Sequence, residues 1–152
     1  MRFLFAKPSL LSFSFLLLLV TSCSKESGCR DQNALNFSAS AERDGTCRYT
    51  KAIFYAPSNM VGANGNAVTK IEVYVGAVPD QQLIGTIETF NHDVPSACNT
   101  PMGAIEYELP GGGVEYLFPT RYYYENGTNE AGSTLSLEAT STNQCQDFRL
   151  TL

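Results

Sequence analysis

After residue 22 the chain keeps no 3.6-residue apolar period long enough for a helix. Its apolar side chains alternate in short runs cut by Gly, Pro and Asn. A period of two is the mark of extended chain, because successive side chains of a strand point to opposite faces. Residues 104–109 alternate strictly, with Ile105, Tyr107 and Leu109 on one face and Glu106 and Glu108 on the other. Ile71, Val73 and Val75 share one face of a strand over 70–76. Further strands are expected over 51–56, 83–90, 133–140 and 147–152, where Phe148, Leu150 and Leu152 alternate to the last residue. The run 114–125 carries one bent strand or two short ones, because Pro119 interrupts it. Gly85 marks a bulge or a close approach of backbone. Loops fall at 57–69, at Pro79-Asp80, at 110–113 and at Asn126-Gly127, the last a strong turn signal.

About seven short strands separated by turns predict an all-β fold, a sandwich of the immunoglobulin or transthyretin type. An apolar share of 43% is enough to build its core, and a charged share of 16% is too low for a coiled coil or a disordered polyelectrolyte. Ten Lys and Arg against fifteen Asp and Glu leave no basic footprint for nucleic acid. Five cysteines is an odd number, so pairing them within the chain leaves one over.

The first 22 residues are not part of that fold. Arg2 and Lys7 precede an 11-residue apolar run over 10–20, broken only by Ser12 and Ser14. Such a run is too short to span a bilayer, which takes about 20 residues of helix, and it has the anatomy of an export signal. Val20-Thr21-Ser22-Cys23 follows directly and resembles the lipobox of bacterial lipoproteins. The resemblance implies a diacylglyceryl group on the Cys23 thiol, cleavage just before it, and acylation of the new amino terminus. The plainer reading is an ordinary secretory signal with Cys23 free to pair. A single acyl chain holds a protein only marginally, and two or three hold it firmly. Cleavage would remove Arg2 and Lys7 and take the formal charge from −5 to −7, so lipid and not charge would make the attachment to the membrane. In lipoproteins an Asp after the Cys often signals retention at the inner membrane. Here Ser24 stands there, which implies the outer membrane of a Gram-negative cell, on its periplasmic or its surface side. Residues 23–27 read as a tether, and Ser24-Lys25-Glu26 within it reads as a weak surface-export tag at most.

Residues 28–50 carry Gly28, Cys29, Asp31, Ala34, Asn36, Ala41, Asp44, Gly45, Thr46 and Cys47 in an order that resembles a short cysteine-flanked module of exported bacterial proteins. Phe37 replaces the usual Tyr. The resemblance implies a shape rather than a task. In an oxidising compartment Cys29 and Cys47 read as a disulfide closing a loop with 17 residues between them. Such closure stabilises by roughly 3 kcal/mol, which matters in a segment too small to bury much surface. Asp31, Asn33, Asn36 and Asp44 offer oxygens suited to Ca²⁺, but the spacing is not that of an EF-hand, and Asp and Asn also cap turns.

Residues 51–152 resemble the small carboxypeptidase-regulatory-like or PEGA-like domains of lipoproteins. The matching residues are Ile71-Glu-Val-Tyr-Val75, Ile84-Gly-Thr-Ile87, Pro95-Ser-Ala-Cys98, Leu109-Pro-Gly-Gly112 and Cys145 before Phe148-Arg-Leu-Thr-Leu152. The pattern departs after Gly112, where Gly113-Val-Glu-Tyr-Leu-Phe-Pro119 replaces the expected Gly-Thr-Tyr. Four cysteines allow three pairings. The pairing 29–47 with 98–145 is preferred because the first pair lies within its own module.

Candidate chemistry is sparse. His92, Asp93 and Cys98 fall short of a zinc set, which takes four ligands, usually from paired Cys and His. His92 is the single histidine, and no Gly-x-Ser-x-Gly or Ser-x-x-Lys accompanies it. Glu106 and Glu108 stand about 6.6 Å apart along a strand, within the range of a glycosidase pair. A solvated strand face with no cleft around it explains them more simply. Gly111-Gly112-Gly113 lacks the Lys-Ser/Thr of a phosphate loop. The densest aromatic stretch is Tyr116, Phe118, Tyr122, Tyr123 and Tyr124 with Arg121. Alternation sends Tyr122 and Tyr124 to one face and Tyr123 to the other. One face is core, and exposed Tyr and Arg suit protein contacts or sugar stacking. These readings lead to a non-enzymatic envelope protein without a cofactor. A lipid anchor would carry its binding or structural sandwich, with an unknown protein or glycan as partner. A glycan-binding accessory protein is the second reading and a small hydrolase the third.

Overall fold

In a computed structural model the described residues are 25–90, 98–111, 113–139 and 144–152. The segment 1–22 that reads as an export signal, Cys23, Ser24, His92, Asp93 and Gly112 lie outside them. No helix forms among the described residues. Nine strands follow in chain order: β1 (Ser27–Gly28), β2 (Arg43–Asp44), β3 (Thr50–Tyr55), β4 (Val68–Val75), β5 (Gln82–Ile87), β6 (Ile105–Leu109), β7 (Glu115–Tyr124), β8 (Asn129–Glu138) and β9 (Cys145–Arg149).

The first two strands pair in parallel and form the small module. Its interior is Cys29, Ala34 and Ala41, and the Cys29–Cys47 disulfide closes it. The expected tether is shorter than residues 23–27. The Glu26 carbonyl accepts from the amides of Glu42 and Arg43, its carboxylate accepts from Ser40 Oγ, and Ser27 belongs to β1. Backbone bonding therefore draws Glu26 and Ser27 into the module.

The remaining seven strands make an all-β sandwich. One sheet has the order β6-β3-β9, the other β5-β4-β7-β8. Pairing is antiparallel throughout except between β3 and β9, which run parallel with Lys51 opposite Cys145 and Phe54 opposite Phe148. The Cys98–Cys145 disulfide ties the start of β9 to the loop before β6. Both preferred pairings are therefore the ones formed.

The core lies between the sheets. Phe54 of β3 and Phe118 of β7 are both fully buried, with ring centroids 4.8 Å apart. Phe148 stacks on Phe54 at 5.2 Å and Tyr107 meets Phe118 edge-on at 5.9 Å. Ile71, Val73, Ile87, Leu109, Leu137 and Leu150 complete the same cluster. Strand β3 is the centre of its sheet, and Ile53 on its other face is buried as well.

The geometry settles one strand reading that was left open and corrects two others. Pro119 does not divide the run over 114–125, because β7 continues through it as one strand. Pairing of β4 with β7 reaches only to Thr120, and the register against β8 shifts beside Pro119, so its missing N–H costs no ladder bond. The last strand stops at Arg149. Leu150 still donates to the Tyr55 carbonyl and is buried, but β3 ends there, and Leu152 is 51% exposed. The third strand ends at Ile87 and not at Phe90.

Gly85 serves close approach, and so does Gly132, which the sequence did not single out. The register of β5 against β4 shifts beside Gly85, and a Cβ there would lie 2.9 Å from the Ile105 side chain on β6. Gly132 sits in the β8 bulge opposite Thr120, where a Cβ would come 2.0 Å from the Tyr122 ring.

Phe54→Ala is expected to lower stability by about 3–5 kcal/mol, since a buried ring is lost and its cavity cannot collapse between two sheets. Urea denaturation should show the midpoint falling with the slope unchanged; a midpoint that stays put contradicts the placement of Phe54.

Candidate functional site

The alternation of Lys70-Ile-Glu-Val-Tyr74 puts Ile71 and Val73 in the core and Lys70, Glu72 and Tyr74 on the outer face of the four-stranded sheet. On β7 the same period buries Phe118, Thr120, Tyr122 and Tyr124 and turns Arg121 and Tyr123 outward. Register then decides the neighbours: Glu72 lies opposite Arg121, and Lys70 opposite Tyr123. Leu83 of β5, opposite Tyr74, is 48% exposed.

Glu72 is the hub of this face. Its carboxylate accepts from Tyr74 Oη at 2.5 Å, from Tyr123 Oη at 2.6 Å and from Lys70 Nζ at 3.0 Å. The Lys70 ammonium also stands 3.8 Å from the Tyr123 ring centroid, a cation–π contact. Partial burial raises the Glu72 carboxyl, but the bonds from Tyr123, Tyr74 and Lys70 outweigh it and bring the group down to about 2. The bond to Glu72 pushes Tyr74 up to about 12, with burial acting in the same direction. The same carboxylate holds Lys70 above its ordinary value. The two rings are thereby fixed in place with their polar groups committed to one anion.

Of the aromatic stretch, Tyr122 and Tyr124 belong to the core and offer no ring to a ligand. Tyr122 Oη donates to the Thr151 carbonyl, and Tyr124 Oη donates to Glu130. Burial raises both phenols, Tyr124 to about 12 with Glu130 contributing. Tyr123 and Arg121 remain on the surface. Lys70, Glu72 and Tyr74 join them, and these three are residues that sequence reasoning passed over. Their polar–apolar alternation in β4 was the available signal.

Of the oxygens considered for calcium, those of Asp31 and Asn36 are bonded inside the module. Asp31 Oδ1 accepts from the Asn33 amide and Oδ2 from Tyr49 Oη at 2.7 Å. Asn36 bridges the Arg48 amide and the Thr46 carbonyl, and Asp44 lies 3.8 Å from Arg30. The bond from the Asn33 amide, with that from Tyr49, lowers the Asp31 carboxyl, and the bond to Asp31 raises the Tyr49 phenol. Asp31 caps a turn through the Asn33 amide, as Asp often does, whereas Asn36 and Asp44 bond across the module. Among the described residues no three His, Cys, Asp or Glu gather as metal ligands.

Glu106 and Glu108 both point outward from β6, as alternation requires. Lys51 Nζ and Thr100 Oγ1 each bond Glu106 at 2.5 Å, and the Lys51 bond leads in lowering its carboxyl. A lowered carboxyl is the wrong direction for a general acid. Glu108 accepts from the Tyr49 amide and lines an open cavity of about 530 Å³ between module and sandwich, with Leu35, Arg48, Tyr49, Lys51 and Gln144. The surroundings of Glu108 are thus less featureless than a plain strand face. Cys98, once a metal candidate with His92 and Asp93, is oxidised in its disulfide.

No protein-family model matches the chain, and no curated protein or solved structure is similar enough to match it.

Glu72→Gln tests the hub. The Glu72 bonds stabilise fully above about pH 4.5, its ordinary value, and fade as the pH falls through about 2. The variant should therefore be less stable than the parent at pH 7, by about 1.5–3 kcal/mol, and should approach it near pH 2. Parallel stability curves over that range would show that the three bonds do not form.

Proposed function

We propose that this chain is a non-enzymatic protein of the Gram-negative envelope, held by acyl chains on Cys23 at the outer membrane. It presents the outer face of its four-stranded sheet to a ligand. The observation that carries the binding role is the Glu72 hub. Two tyrosine rings, Tyr74 and Tyr123, are pinned by one carboxylate on a half-exposed face, with Arg121 and Lys70 beside them. Rings held in one rotamer lose little further entropy on binding.

The anchor rests on the Val20-Thr21-Ser22-Cys23 motif. Two disulfides fit an oxidising compartment beyond the inner membrane. Because Glu26 and Ser27 are bonded into the module, few residues separate it from Cys23. Three residue steps from Cys23 to Glu26 reach at most about 11 Å, so an anchor at Cys23 would hold the module close to the headgroups.

A glycan is the favoured ligand class over a protein in one respect. Tyr74, Tyr123, Lys70, Glu72 and Arg121 combine aromatic faces with donors and acceptors at their rims. Stacking plus rim hydrogen bonds is how pyranose rings are held.

Two measurements test these readings separately. Membrane fractionation of the parent against Cys23→Ala should move the protein from the envelope to the soluble periplasm; unchanged partitioning removes the anchor. On an array of envelope glycans, Tyr123→Ala and Tyr74→Ala should each weaken binding by about tenfold or more, the loss expected of a buried aromatic contact. Binding unaffected by both substitutions would displace the ligand from this face.

A further inference from the structure

A sandwich of two open sheets has four edge strands, and each edge carries unpaired N–H and C=O groups. Three of these edges are shielded. Strand β6 is five residues long and carries Glu106 and Glu108 outward. Strand β9 is equally short, carries Asp147 and Arg149, and begins in a disulfide. Strand β5 has six residues and breaks register beside Gly85. Strand β8 is different. It is ten residues long, largely exposed, and uncharged from Ala131 to Leu137. Its bulge lies at Gly132–Ser133, so Thr134 to Glu138 run in unbroken register with β7.

The hydrogen-bond phase of that segment follows from its end. The Ala139 amide donates to the Val114 carbonyl, and the Ala139 carbonyl accepts from the Gly113 amide. Alternation then turns the amides and carbonyls of Leu137 and Leu135 toward β7, and those of Thr134, Ser136 and Glu138 away from it. Three consecutive outward-bonding residues are thus available on an edge without Lys or Pro.

We propose that this edge pairs antiparallel with the same strand of a second copy, about a two-fold axis at Ser136, making one continuous eight-stranded sheet. Charge selects the register. Centring the pair on Thr134 brings Glu130 beside Glu138, and centring it on Glu138 sets that carboxylate against its own copy; like charges directly opposite are unfavourable. Centring on Ser136 puts Thr134 opposite Glu138 and Ser136 opposite itself. The same register sets Leu135 beside Leu137 of the second copy on the inner side, where both already turn toward the core. An interface that is self-complementary in this way closes as a dimer and does not propagate. The chain's formal charge of −5 opposes the approach of two copies, so the association strengthens with added salt.

The register is read by cross-linking the full chain in detergent. In a hydrogen-bonded antiparallel pair the facing Cα atoms lie about 5.5 Å apart, within disulfide range. Ser136→Cys should therefore give a disulfide-linked dimer on mild oxidation. Thr134→Cys should not, because its two copies stand roughly 13 Å apart along the strands. Sedimentation of the unmodified chain should show a concentration-dependent dimer that tightens in salt, and Ser136→Lys should weaken it several-fold. A chain that stays monomeric at its highest soluble concentration overturns the proposal, as does cross-linking through Thr134→Cys in preference to Ser136→Cys. Amide protection of Thr134 and Ser136 that appears only when envelope extract is added would assign the edge to a strand of another protein, and would overturn it too.

Discussion

The contact between Phe54 and Phe118 joins the two sheets at the middle of the sandwich, with their ring centroids 4.8 Å apart. Sheets that face each other stand about 10 Å apart, a gap that large side chains from both inner faces must fill. A chain without Trp fills it with Phe and Tyr. Phe148 stacks against Phe54, and Tyr107 and Phe118 meet edge-on, so four strands from both sheets share one aromatic cluster. The parallel pairing of β3 with β9 delivers Phe148 to that place. Everything on the outer faces depends on this filling, because it decides which residue of each alternating pair turns inward.

The two sides of the sandwich are built differently. At the β5–β6 side the sheets close on each other, with Ile105 seated on the bare backbone of Gly85. At the β8 side no comparable contact forms among the described strands, and the sheet ends in a long exposed strand. The outer face near β4 and β7 is organised by one carboxylate, Glu72, whose three donors hold two rings and an ammonium in fixed positions. The protein thus combines a hydrogen-bonded polar face with a long exposed edge strand.

Much of this was legible from residue order. Each of the seven strands of the sandwich overlaps a run read as extended, with ends that shift by up to four residues, and the inward and outward residues of β6 match the pattern of Ile105 to Leu109. The split of Tyr122 and Tyr124 from Tyr123 also followed from the period of two. The stretch around Pro119 was ambiguous, since its ring forbids a ladder bond only if a neighbour needs one, and that depends on where β4 stops. The candidate face was only half visible. Arg121 and Tyr123 stood out as part of an aromatic run, whereas the sequence singled out only the apolar face of the strand that carries Lys70, Glu72 and Tyr74. What joins them is register across two strands about 50 residues apart in sequence, and no local pattern encodes it.

The sequence by itself determined the strand class, the approximate breaks between strands, which side chains share a face, and a preference for two cysteine pairs. Those follow from short-range physics: the two-residue repeat of extended chain, the φ restrictions of Gly and Pro, and the enclosure of one cysteine pair in its own module. Only the tertiary structure decided which strands are neighbours, that β3 takes β9 in parallel, that Glu72 gathers three donors, and that β8 is the unguarded edge. Each of those depends on register and strand order, which arise from packing the two sheets around a common core rather than from any single segment.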